Sequence, residues 1–283
     1  MRTRMYLTVS KREISSITDN HKGNEAFVIA LAGAGRSTAA LMRLLAQYVQ
    51  FNSVFGAGVV GLAAAIARSQ DIFRERTESI PAFADRSYDV AAAIFFAAID
   101  EFALKKTHRS MAQDTLKKSL QFFEMGPEEV ESLCRASGET SAAVRAVTEG
   151  YCLNRKINEA DLFSAIGFHI GSEVLADQEF NILDCYLQRE HPALVAYLKG
   201  AKAYSWIAVH TTVEADHYDA ALESANCALS SFTGDVAKAY GLILKGLKHF
   251  AKVQARFMES LSVIGGGQEG AFGIHCEAGT QSS

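Results

Sequence analysis

The chain has 283 residues, 49% of them hydrophobic and 21% charged, with a formal net charge of −4. That length allows a sizeable core, and the near-neutral balance excludes a protein that grips nucleic acid by bulk electrostatics. Only Pro81, Pro127 and Pro192 are prolines, which argues against a loop-rich all-β architecture, since long helices tolerate few of them.

In chain order, residues 1–23 read as a polar, charged arm ending in the turn-like Asp19-Asn20-His21-Lys22-Gly23. Residues 24–69 are apolar with helical spacing, as in Leu41, Leu44, Leu45, Tyr48 and Val49. A break at 77–85, containing Pro81, precedes a helix over 86–108 and an amphipathic one over 110–124. Gly126-Pro127-Glu128-Glu129 is a helix start, with proline in the first turn and acids near the positive dipole end. Residues 158–188 and 192–229 predict two long helices, and Thr233-Gly234-Asp235 separates them from a last helix ending near Ile264. The glycine-rich stretch 265–283 predicts a flexible tail. The expectation is one all-α domain over 24–264.

The apolar run 54–67 is shorter than the roughly 18 to 20 residues of a membrane span, so it reads as a buried helix. No signal-peptide core follows the charged start, and the five cysteines form no C-x-x-C pair. A reducing cytoplasm, with no membrane partner, is the expectation. Gly56-x-Gly58-x-x-Gly61 matches a dinucleotide-binding fingerprint, with Glu75 downstream. It lacks the preceding strand and following βαβ pattern, so small residues for close helix packing explain it better.

The segment from Trp206 to Tyr218 carries the chemistry. His210, Glu214 and His217 are spaced four and three apart, within about 40° and 20° of one another on a helical wheel, so they share one face. Burying two imidazoles and a carboxylate on an apolar helix is costly without a metal or other partners. Chance produces this spacing only about 0.02 to 0.03 times in such a chain. The set suits iron, manganese or zinc, and its length along the helix suits two ions if other helices add carboxylates. Glu101 and His108, seven apart, fall within about 20° on a wheel. Glu173, or Glu179 further on, places an acid inside another apolar helix. A second Glu-x-x-His pair, the mark of ferritin-like bundles, is missing.

In these residues the chain resembles the haem-oxygenase-like di-iron oxidases and oxygenases. Their pattern is Glu-x6-His on one helix, a lone carboxylate on a second and His-x3-Asp/Glu-x2-His on a third. The matching positions are Glu101 and His108, Glu173 (or Glu179), and His210, Glu214 and His217, with Glu214 where aspartate is common. The stretch 41–51 is similar to the family's first long helix, and the resemblance covers roughly 35–260. It implies a bundle of about seven helices holding two iron ions that activate O2 to oxidise a small molecule. Family reactions include N-oxygenation of amines, here of a small amine or amino acid as the preferred expectation, and desaturation or carbon–carbon cleavage of amino acids and fatty acids. A cofactorless or thiamine-related enzyme on the same bundle and a non-enzymatic helical binding protein stay open. Arg145, Lys202 and Asp177 are possible substrate contacts, Tyr218 reads as packed beside the ligands, and the apolar first helix allows a homodimer.

Overall fold

In the computed structural model, residues 7–19, 21–75, 77–102 and 106–264 are described. The expected tail 265–283 and the first residues of the expected arm lie outside them. The described residues form helices α1 (Lys11–Thr18), α2 (Lys22–Ala34), α3 (Thr38–Phe51), α4 (Phe55–Arg68), α5 (Ile80–Phe102) and α6 (His108–Phe122). They continue with α7 (Pro127–Cys134), α8 (Gly138–Gly150), α9 (Glu159–Glu190), α10 (Pro192–Gly200), α11 (Ser205–Ser231) and α12 (Val236–Ile264). The described part is therefore all-α.

The helices outnumber the expected seven because caps and turns cut the apolar stretches. Ser37 ends the first run by accepting the backbone N–H of Ala40, which starts α3. The stretch read as one helix over 192–229 is two. Lys202 adopts φ 55°, and the N–H groups of Lys202 and Ala203 close α10 on the carbonyls of Lys199 and Leu198. α5 starts earlier than predicted, with Pro81 in its first turn, where a missing N–H costs nothing. Within the region read as an arm, α1 carries a Ser10–Glu13 capping box and is tied to α11 by Val9 N–H donating to Asn226 Oδ1 at 2.8 Å.

α9 is the axis. Its middle, from Leu162 to Glu173, is enclosed nearly all round by α12, α11 and α2. A Cβ on Gly167 would overlap the Ile243 carbonyl oxygen, and one on Gly246 the Ser164 carbonyl oxygen, so α9 and α12 cross backbone against backbone. α5 packs between α4 and α11, and α6 leans on α3 and α11. Thr38–Arg68 is helical and apolar enough, by length and composition, to cross a membrane. Here it packs among other helices, with Thr38, Ala57 and Arg68 its exposed residues. The Gly56–Gly61 motif lies within α4, where a Cβ on Gly58 would strike the Tyr151 ring and one on Gly61 Leu153, so close packing accounts for it.

Candidate metal centre

Glu101 is in the last turn of α5, and His108 is the first residue of α6. The wheel that placed both on one helix is therefore corrected. Thr107 caps α6 by accepting the Ser110 N–H, and α6 begins with His108 Nδ1 3.3 Å from Glu101 Oε1. Gly56 leaves room for this, because a Cβ there would come within 2.9 Å of Glu101 Oε2.

On α11, His210, Glu214 and His217 share one buried face, as their spacing predicts. Glu214 reaches both neighbours: its Oε1 is 3.6 Å from His210 Nε2 and its Oε2 is 3.6 Å from His217 Nδ1. From α9, Glu173 Oε2 comes to 3.6 Å from the same His217 nitrogen. Two groups result, Glu101–His108–His210 and Glu173–Glu214–His217, each with its donor atoms within 4.8 Å of one another. The His108 and His210 rings lie 4.5 Å apart, centre to centre.

The donor chemistry fits metal ions. His210 Nδ1 lies 2.6 Å from the Trp206 carbonyl oxygen, which can only accept, so Nδ1 carries the proton and Nε2 turns a lone pair toward Glu214. Two acceptors facing each other need a proton or a cation between them. Burial and the neighbouring His108 push the His210 imidazole down to about 3, keeping it neutral. Burial and the nearby Glu173 charge push Glu214 up to about 8. Burial opposes a charge on His217, but hydrogen bonding to Glu173 and Glu214 overcomes it and pushes the ring up to about 11. Burial likewise opposes the Glu173 charge, yet His169 and His217 hold that carboxyl well below the usual range. Protons thus occupy the positions between donors that a divalent cation takes when it binds.

Glu173 and Glu179, alternatives in the sequence, occupy different places. Glu179 is in neither group; it accepts from Tyr48 Oη at 2.9 Å and Gln254 Nε2 at 2.8 Å. Sequence reasoning overlooked His169. Its ring is wholly buried, with Nδ1 3.1 Å from Glu173 Oε1 and 3.2 Å from Tyr151 Oη. Ser172 Oγ donates to the His169 carbonyl at 2.7 Å and so accepts from Tyr151 Oη at 2.7 Å. That leaves the Tyr151 oxygen and Glu173 Oε1 as acceptors for the His169 Nδ1–H. The His169-x3-Glu173 spacing inside an apolar helix was the available signal.

A cavity of about 40 Å³ lies at the groups, walled by Phe51, Phe55, Val59, Phe180 and Phe250 and lined by Glu101, Glu173, Glu179, His210, Glu214 and His217. Among the described residues lining it there is no Lys or Arg. Arg145 and Lys202 are exposed and Asp177 is half-buried, all outside this lining. Tyr218 packs half-buried against the core with Lys11 Nζ 5.5 Å above its ring. Compared with known proteins, the chain matches no protein-family model and no curated protein.

Proposed function

We propose that the protein is a non-haem di-iron oxygenase of the haem-oxygenase-like kind, which activates O2 to oxidise a small amine, most simply at nitrogen. The observation that carries this reading is Glu214, whose two oxygens face a histidine of each donor group at 3.6 Å. One carboxylate spanning two buried His/Glu sets is the arrangement a metal pair needs. The six donors would be Glu101, His108 and His210 for one ion and Glu173, Glu214 and His217 for the other, with Glu214 shared. The donor set suits iron and manganese alike; O2 chemistry favours iron.

When bound, the iron pair supplies the electrons for O2 activation. The chain does the rest. The His210 Nδ1–H on the Trp206 carbonyl and the His169 Nδ1–H on Glu173 fix the donors' orientation before metal arrives. Four phenylalanines wall the cavity with apolar surface, which strengthens the electrostatic interactions inside it.

The surroundings of the cavity favour an amine over a fatty acid. Beside it, an open groove between α5 and α11 is lined by Asp89, Asp216, Asp219 and Glu223, with Phe96, whose ring meets His217 edge-on at 6.0 Å, on its wall. That negative field attracts cations and repels carboxylates. Oxidative cleavage or desaturation of an amino acid by the same centre is the second reading; among the described residues of the cavity lining there is no Lys or Arg to hold the substrate carboxylate. A homodimer would form more readily through α5, where Tyr88, Phe95, Ile99 and Phe102 are exposed, than through the engaged α3–α4 stretch.

The test is anaerobic Fe(II) loading of metal-free protein followed by an O2 pulse, with and without free amines and amino acids. Wild type should take up two irons per chain and give a substrate-dependent visible transient, and His217→Ala should lose both. A chain that binds no iron stoichiometrically sinks the reading and leaves a helical binding protein.

A further inference from the structure

Glu179 is a fully buried carboxyl that lines the cavity without belonging to either donor group. Its surroundings are built around it from three other segments. Tyr48 on α3 donates its Oη–H to Glu179 Oε2 at 2.9 Å. Gln254 on α12 donates its Nε2–H to Oε1 at 2.8 Å. The Gln254 amide is held in that sense by His21, whose Nε2 lies 2.5 Å from Gln254 Oε1. Gly23 leaves the space for that contact, since a Cβ there would collide with Gln254 Oε1. Each carboxyl oxygen thus already receives a donor from the protein. A proton on Glu179 finds no acceptor on the Gln254 amide nitrogen; Tyr48 Oη, by turning its own hydrogen away, and the cavity, with His210 and Glu214 also in its lining, are what remain.

From this arrangement we infer that Glu179 is the proton-holding group of the cavity, giving a proton to, and taking one from, a molecule bound at the donor groups, and is not itself a metal ligand. The location rests on the di-metal reading above; the hydrogen-bond pattern does not. An amine that enters as an ammonium passes one N–H proton to the Glu179 carboxylate. The N–H electron pair stays on nitrogen as the lone pair needed for reaction. In the other direction the Glu179 O–H bond breaks, its electrons stay on the carboxylate, and Tyr48 and Gln254 hold the charge. Burial pushes this carboxyl up to about 7 against the two donors, which suits traffic in both directions near neutral pH. The titratable groups around it are Tyr48 on α3, His21 ahead of α2, Glu173 on α9 itself, and His210 and Glu214 on α11.

The experiment compares wild type with Glu179→Gln, using azide as the cavity probe. Infrared difference spectra of metal-free wild type between pH 6 and 8.5 should show two protonated carboxylic acids being lost, Glu179 and Glu214, and Glu179→Gln should keep only the Glu214 band. On iron-loaded protein at pH 8, azide binding should take up close to one proton per chain in wild type and markedly less in Glu179→Gln, both loading two irons. Equal uptake by the two proteins, or a Glu179→Gln protein that loads fewer irons than wild type while folding normally, overturns the assignment. Should Glu179→Gln fail to fold, Tyr48→Phe removes one donor from the anion and should raise the pH at which the Glu179 infrared band is lost; an unchanged midpoint overturns it equally. If wild type itself binds no iron, the di-metal reading fails separately, and the metal-free infrared comparison still decides whether Glu179 holds the proton.

Discussion

The residues that set the site's geometry are as informative as the donors. Glu173 has His217 on one oxygen and His169 on the other, at 3.6 and 3.1 Å. The Tyr151–Ser172–His169 carbonyl chain fixes which way the His169 proton points, so the Glu173 carboxylate cannot rotate without breaking a hydrogen bond in a buried site. Removing the donor should loosen the ligand without removing it. His169→Ala should therefore weaken metal binding about 10- to 100-fold while leaving the stoichiometry at two. His169→Gln, whose amide can still donate, should recover part of the loss. Titration of metal-free protein with Fe(II) or Co(II) measures both, and an unchanged affinity in His169→Ala would remove His169 from the site.

At the scale of elements, the α9–α12 crossing decides whether α9 can lie at the centre at all. Gly167→Ala drives a methyl group into the Ile243 carbonyl, and backbone cannot step aside as a flexible side chain can. The expected loss is about 1–3 kcal/mol in denaturant unfolding. Gly241→Ala, in the same α12 but with nothing within 4 Å of the added methyl, should instead be neutral or stabilising by up to about 1 kcal/mol. Similar effects at both positions would mean that helix propensity governs and the crossing does not. The elements also explain what could be read in advance. The α11 triad was legible because all three donors lie on one helix, where period alone sets the face. Glu101 and His108 were legible only as a spacing, because they sit on two helices, α5 and α6, and not on a shared wheel. Glu173 and Glu179 could not be told apart, since α9 is enclosed on nearly every side and its period favours neither. What separates them is Tyr48, 131 residues away, and Gln254, 75 away, and such long-range neighbours leave no local pattern.

For the molecule as a whole, the buried ionisable groups make stability depend on pH in opposite senses. His210 is pushed down to about 3 from its usual 6.5. The unfolded chain therefore binds the extra proton between those values, and acidification below pH 6.5 destabilises the metal-free fold. Glu179 acts the other way. Its carboxyl is pushed up to about 7 from 4.5, so the folded state holds the extra proton in that window. Its contribution is intact below pH 4.5 and is lost as pH rises through 7, a difference of roughly 3 kcal/mol. Glu179→Gln keeps a neutral side chain able to accept from Tyr48, and any mismatch of its amide with Gln254 adds an offset that does not change with pH. Metal-free Glu179→Gln should accordingly gain on wild type as pH rises from 4.5 to 8, by an amount approaching that difference, with the two curves parallel above pH 8. Thermal unfolding of both proteins across that range reads the effect directly. A constant offset at every pH would show that Glu179 stays ionised in the fold, and the proton between its oxygens and the cavity would then have to come from somewhere else.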